Sequence, residues 1–284
     1  MSNTSQKITV FGVDPAPSKG LCVCSCVYEE GNVSEQQFQQ HNDCQQSISG
    51  FITSVKNAKK VGTVLIIWDA PLTYPNYKGY YGRCVEKRWE VYAKKIKKKC
   101  EINLSVREAA GCPHWAITQR VLGFPSLNKS PLPDCLLGNQ IQLITTESDK
   151  EKIYREGIFV VETHPALAIA IQYKGNPIAE KKWYRDSAGA AEKYLMDIDR
   201  IWEFEKVIER FPSPLLGLEK NDYIDAMISM ILGVKWLQGS DVKIDGNLER
   251  GSFLLPFNEF EREKAIQWSE LEKNPPNHDR IYQS

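Results

Sequence analysis

The stretch VFGVDPAPSKG, residues 10–20, decides how the chain is read. It completes an apolar run, Ile8 to Val13, that is apolar on both faces and so belongs at a sheet centre. The run ends on Asp14, and Pro15 and Pro17 follow at once. Proline has no N–H to give to a ladder. The strand is therefore expected to stop directly after Asp14 and to leave that carboxylate at the sheet's edge. A turn through Ser18, Lys19 and Gly20 leads into a second strand, GLCVCSCVY (20–28), and a more polar third strand follows at 32–39. Connections this short make an antiparallel meander.

Beyond the meander the pattern changes. Ile48, Phe51, Ile52 and Val55 recur at i, i+3, i+4 and i+7, which predicts an amphipathic helix capped by Asn42 or Asp43. TVLIIWDAPL (63–72) is a continuous apolar strand that ends on Asp69. GIFVVETHPAL (157–167) holds another, ending on Glu162, with Pro165 opening a helix. Helices are expected over about 187–210 and 222–237. Three meander strands followed by strand–helix alternation define an α/β chain with one mixed sheet and helices on its faces. Residues 72–156 lose this regularity and read as a helical insertion or cap. They sit within a single domain spanning 1–284, whose residues 240–284 form an irregular tail.

Composition narrows the function classes. The 284 residues carry no net charge, with 36 basic against 36 acidic side chains, which argues against a protein that coats nucleic acid. A local basic run, EKRWEVYAKKIKKKCE (86–101), leaves room for phosphate contacts or for the solvated face of a helix. No apolar run reaches the ~20 residues of a membrane span. MSNTSQK lacks the apolar core of a signal peptide. The expectation is a soluble, cytoplasmic chain without a membrane partner. In that setting the eight cysteines read as reduced thiols. Cys22, Cys24 and Cys26 alternate along one strand, so they share a face as small buried hydrophobes.

The acids carry the chemistry. Asp14, Asp69 and Glu162 each end an apolar strand, and ligands of open α/β sheets bind beyond the carboxyl ends of parallel strands. Asp222 and Asp225 stand three apart at a helix start, hence on one face. Singly, each has an ordinary role in a turn or a first helical turn. Together, carboxylates gathered at one edge repel. A hard divalent cation, Mg²⁺ or Mn²⁺, relieves that repulsion with oxygen ligands. Two such ions stabilise the attacking and leaving oxygens of phosphodiester cleavage.

FGVDPAP, IIWDAPL, VVETHPAL and NDYIDAMISMILG resemble the domain-of-unknown-function 429 family, predicted nucleases of the ribonuclease H-like superfamily. The resemblance spans most of residues 7–238 and implies a five-stranded mixed sheet of order 3-2-1-4-5. It also implies a metal-dependent nuclease acting on DNA or RNA with one or two Mg²⁺ or Mn²⁺ ions. By resemblance the metal-binding roles fall on Asp14, Asp69, Asp222 and Asp225. Glu162 matches the family's Glu-x-His-Pro feature and joins the catalytic acids. His164 beside it could assist a water or leaving group. Arg83, followed by the acid Glu86, and also Lys182 and Arg185, are the candidate substrate contacts. Two other readings are an actin-like or sugar-kinase-like nucleotide phosphotransferase and a non-catalytic protein that retains the fold. The first expects Asp-x-Gly-x-Thr/Ser in the opening hairpin. This chain has Asp14-Pro15-Ala16-Pro17-Ser18, where both prolines lack the amide a phosphate loop needs.

Overall fold

The first strand, β1 (Ile8–Ala16), pairs on both sides. It runs antiparallel to β2 (Gly20–Glu29), which in turn pairs antiparallel with β3 (Asn32–Gln39). On its other side β1 runs parallel to β4 (Thr63–Trp68). The computed structural model describes residues 6–16, 20–39, 43–73, 83–100, 104, 106, 113–123, 136–137, 140–173, 183–204, 219–257, 263 and 265–273.

β1 does not stop at Asp14. Its pairing with β4 ends at Val13↔Trp68, whereas its pairing with β2 continues through Asp14↔Cys22 to Ala16↔Gly20. The reason lies in strand alternation. The Val13 carbonyl accepts from Asp69 N–H at 2.9 Å, so the peptide groups of Val13 face β4. Pro15, two residues on, has the same orientation, and its missing N–H falls where the β4 ladder has already ended.

The sheet has six strands in the order β3-β2-β1-β4-β6-β5, with β5 (Ile141–Ile144) and β6 (Ile158–Glu162) both parallel to their neighbours. The five-strand expectation is corrected here. β6 is the fifth strand read from the sequence, and β5 is an extra edge strand from within 72–156. The remainder of that stretch includes α2 (Cys84–Cys100), α3 (Pro113–Leu122) and a 3-10 helix at Glu147–Tyr154.

Helices cover both faces. α1 (Cys44–Val61) is capped by Asp43, which accepts from Gln46 N–H at 2.8 Å. With α3 it packs Phe51, Val55 and Val121 onto Phe11, Val13, Ile66 and Trp68. The Trp68 indole N–H donates to Thr118 Oγ1 at 2.8 Å and fixes α3 to the sheet. The opposite face carries α2, α4 (Pro165–Gln172), α5 (Ala188–Trp202) and α6 (Glu219–Leu237). Cys24 and Cys26 are buried there among Val10, Leu65 and Ile67. Burial pushes the Cys26 thiol up to about 12, so it is inert rather than nucleophilic.

α6 touches β1 almost backbone to backbone. A Cβ at Gly12 would stand 2.0 Å from the Ala226 carbonyl oxygen and 2.3 Å from Met230 N. A Cβ at Gly233 lies 2.9 Å from Val10 Cγ1. Gly12→Ala should therefore cost about 3 kcal/mol, the upper end of ordinary overpacking, because a helix backbone must move. A urea titration would show it as a lower midpoint at unchanged slope; an unchanged midpoint would mean the helix seats elsewhere.

The stretch after residue 240, expected to be irregular, holds a hairpin and a short helix. β7 (Val242–Asn247) pairs antiparallel with β8 (Gly251–Pro256), and α7 (Trp268–Lys273) follows. Buried Asp245 ties them to α2. It accepts from Arg88 Nε and Trp89 Nε1, both at 2.8 Å, and from Trp268 Nε1 at 3.2 Å.

Candidate functional site

Asp14, Asp69 and Asp222 come to one end of the sheet on one face. Asp69 follows the Val13↔Trp68 pair of parallel strands, so it stands beside Asp14 on the neighbouring strand, about 4.8 Å away in backbone spacing. The helix completes the corner. Gly233 lies over Val10, and Ala226 and Met230 lie over Gly12. α6 therefore runs antiparallel to β1, with its first turns above the strand's carboxyl end. Tyr223 OH donates to the Gln39 carbonyl at 2.8 Å at that same end. Asp222 precedes Ala226 by four residues, so it continues the sheet-facing stripe toward Asp14. Asp14 is 8% exposed, whereas Asp69 and Asp222 are half-buried.

Asp225 takes a different direction. Its Oδ1 accepts from Tyr184 OH at 2.5 Å, and its Oδ2 accepts from Arg185 Nη2 at 2.5 Å. Arg185 Nε also donates to the Tyr184 oxygen at 2.8 Å, so the three side chains close a ring. Tyr184 and Arg185 lie in a turn where Asp186 N–H donates to the Trp183 carbonyl at 2.9 Å. Burial pushes the Asp225 carboxyl up, against the opposing pull of Arg185 and Tyr184. Burial likewise pushes the Tyr184 hydroxyl well up, which keeps it a protonated donor. Loss of water works against the guanidinium charge of Arg185, but Asp225, Tyr184 and Asp69 outweigh it and hold the group firmly charged. The field of Asp69 at both Tyr184 and Arg185 ties this ring to the Asp14 corner. His114 of α3 feels the same charge: burial first, then Arg185, lowers its pKa, so it is neutral near pH 7.

Glu162 does not join the other acids. It is in register with Trp68, one step short of Asp69, so alternation turns it away from the Asp14–Asp69 pair. It is 2% exposed and grips Arg83. Arg83 Nη1 donates to Glu162 Oε2 at 2.7 Å and Arg83 Nη2 donates to Glu162 Oε1. Leu72 N–H donates to the same carboxylate at 2.9 Å. Arg83 also binds Glu86 through Nε at 3.0 Å and Nη2 at 2.7 Å, and Thr73 Oγ1 at 3.0 Å. The two residues expected as a catalytic acid and a phosphate contact are thus a sealed ion pair, with Glu86 as the third member. Burial pushes the Glu162 carboxyl up while Arg83 pulls it the other way.

His164, expected near a water or leaving group, caps α4: its Nδ1 accepts from Leu167 N–H at 3.4 Å, and its ring meets Phe253 edge-on. Lys182 lies outside the described residues, as do Pro17 and Ser18, the last two positions of the phosphotransferase comparison. The basic run is carried away from the acids. α2 starts beside Glu162, and Tyr92 OH already reaches the Ala170 carbonyl near the far end of α4, at 3.2 Å. The exposed Lys94, Lys95, Lys97 and Lys98 lie farther still along that helix.

The residue types at the Asp14 corner suit a hard divalent cation, which takes carboxylate oxygens. The arrangement is another matter. Among the described residues no group of three His, Cys, Asp or Glu side chains is placed to hold a metal ion. The positive group at Asp225 is a guanidinium. Sequence reasoning chose both Asp225 and Arg185 but kept them in separate roles. Tyr184, forty-one residues before Asp225, was missed altogether, because nothing local marks a tyrosine as a carboxylate partner.

No family model, no curated protein and no solved structure matches this chain.

Proposed function

We propose that the chain is a divalent-metal-dependent nuclease that hydrolyses phosphodiester bonds of DNA or RNA, as its resemblance to the ribonuclease H-like nucleases implies. The observation that carries the reading is the corner itself. Asp14 and Asp69 stand side by side where the parallel β1–β4 ladder ends, and the first turns of α6 bring Asp222 toward them. Asp14, Asp69 and Asp222 would hold Mg²⁺ or Mn²⁺, with Asp225 as the further ligand. Such an ion supplies charge stabilisation to the oxygens of a phosphodiester under attack. The chain's own contribution is placement: two strands and one helix fix the carboxylates before substrate arrives.

The test is incubation with single-stranded, duplex and branched DNA and RNA in Mg²⁺, in Mn²⁺ and in chelator. Cleavage of at least one substrate with metal, abolished by chelator, is expected. Intact substrates throughout would reject the reading, and so would cleavage indifferent to chelator. A non-catalytic protein that kept the fold is the second reading. One observation favours it: Arg185 already neutralises Asp225.

A further inference from the structure

α2 carries a charge pattern that its place in the fold does not require. At 100° per residue, Lys87, Lys94, Lys95, Lys97 and Lys98 lie within an arc of about 160°, opposite the buried Val85, Trp89, Tyr92 and Ile96. Glu90, the one acid on that arc, is 5% exposed and lies between Lys87 and Lys94, at 3.6 and 2.5 Å. Glu86, the other acid of the helix, is turned in onto Arg83. Among the described residues no acid pairs with Lys95, Lys97 or Lys98. A solvated helix face ordinarily mixes both signs, as α5 does with Glu192, Lys193, Asp197 and Arg200. The helix dipole favours cations only in the last turn, and Lys87, Lys94 and Lys95 come before it. The chain as a whole is neutral, so this field is local rather than a share of a general positive charge.

We propose that the lysine face of α2 binds the phosphate backbone of a nucleic-acid duplex, independently of sequence and at a distance from the Asp14 corner. As a substrate contact it rests on the nuclease reading above; as a binding surface it stands alone. Its length matches a run of phosphates. Lys87 to Lys98 is eleven residues, about 16 Å of rise, or about five steps of a duplex strand at 3.4 Å. It presents no aromatic on which an unpaired base could stack, since Trp89 and Tyr92 are buried. That favours a duplex, whose bases are inside, over a single strand. The apolar side of α2 is packed into the core, which leaves nothing to enter a bilayer. Lysine is a flexible point charge, suited to a repeating backbone rather than to one fixed phosphate. The helix begins beside Glu162, one register step from Asp69. Lys94 lies eleven residues beyond Arg83, again about 16 Å of rise. A duplex seated at the corner reaches the lysines only if it extends over about five base pairs or more.

The experiment is nucleic-acid binding to the full chain in chelator, read by fluorescence anisotropy across salt. The probes are DNA and RNA duplexes of about thirty base pairs, far longer than the lysine face, and a single strand of equal length. Both duplexes should bind. K95Q/K97Q/K98Q should lower the slope of log affinity against log salt by about 2.7, at about 0.9 per phosphate contact. Between about 50 and about 200 mM salt the unaltered chain then loses about fortyfold more affinity than the variant. K95R/K97R/K98R should keep the slope, because charge is what is read. K56Q/K59Q/K60Q removes as many charges from α1, on the other face of the sheet, and should also keep it. An equal fall in that α1 variant would overturn the assignment to α2, and so would an unmoved slope in K95Q/K97Q/K98Q. Tighter binding to the single strand than to either duplex would overturn the choice of partner, as would binding to phosphatidylserine vesicles and not to duplex. Absence of duplex binding by the unaltered chain would overturn the surface outright. Cleavage plays no part in a measurement made in chelator. A chain that binds duplex through α2 and cleaves nothing ends the nuclease reading alone; a chain that cleaves with the slope unmoved ends this one alone.

Discussion

Asp14→Asn is expected to reduce metal-dependent cleavage at least ~100-fold. Asparagine keeps the shape of the side chain and removes its charge, so the loss reads the carboxylate rather than packing. A metal ion contributes several kcal/mol to the charge developed in such reactions, and each ~1.4 kcal/mol is tenfold in rate. If Asp14 is a metal ligand as proposed, losing its charge where the β1–β4 ladder ends should forfeit at least two such factors. The fold should persist, because asparagine keeps the shape of the side chain and the strand remains paired to β2 through Ala16. Circular dichroism and a urea midpoint would check the fold while rate measurements at saturating Mn²⁺ check the chemistry. Cleavage by D14N at the rate of the unaltered chain would remove Asp14 from the mechanism.

Glu162→Ala should cost about 3–5 kcal/mol of stability, the usual consequence of removing one partner of a buried ion pair. Three polar groups each lose an acceptor together: the Leu72 N–H, Arg83 Nη1, which keeps Thr73, and Arg83 Nη2, which keeps Glu86. Arg83→Met should cost more, because Glu162 and Glu86 both rely on that one guanidinium and would be left as two buried carboxylates. Chemical denaturation of the two variants gives the order directly. A Glu162→Ala midpoint within error of the unaltered chain would show that water reaches Arg83 in solution.

The sequence carried the central strands clearly, for physical reasons. Ile8–Val13, Val64–Trp68 and Ile158–Val161 are buried on both faces, so each is a continuous apolar run that needs no partner to be recognised. β5 is different. Ile141–Ile144 is four residues long at an edge, with only Ile144 fully buried, and so leaves almost no pattern. The β7–β8 hairpin left little signal: its Asp245-Gly246 lies within β7, paired with Phe253 and Ser252, rather than at the turn, and only Phe253–Leu255 stands out as apolar in a stretch that otherwise reads as polar. For the site, strand-end acids were legible as types but not as directions. Glu162 and Asp69 both close apolar runs, yet they differ by one step of register, and register belongs to the pair of strands rather than to either. Arg83 and Glu162 are seventy-nine residues apart, and Arg185 and Asp225 forty. Partners at such separations are chosen by the fold, so no spacing rule could have joined them.

The contact of Gly12 with Ala226 and Met230 also bears on positional precision. Two acids on flexible supports would drift apart under their mutual repulsion. Here Asp14 rides on β1 and Asp222 on α6, and those two supports meet at a backbone contact only glycine permits. A slide of the helix by one turn would drive a side chain into β1, where no room exists. The vertical offset between the two carboxylates is therefore set two residues below the site, by an atom that is missing. A single methyl at Gly12 would then detune the corner without touching any of its charged groups.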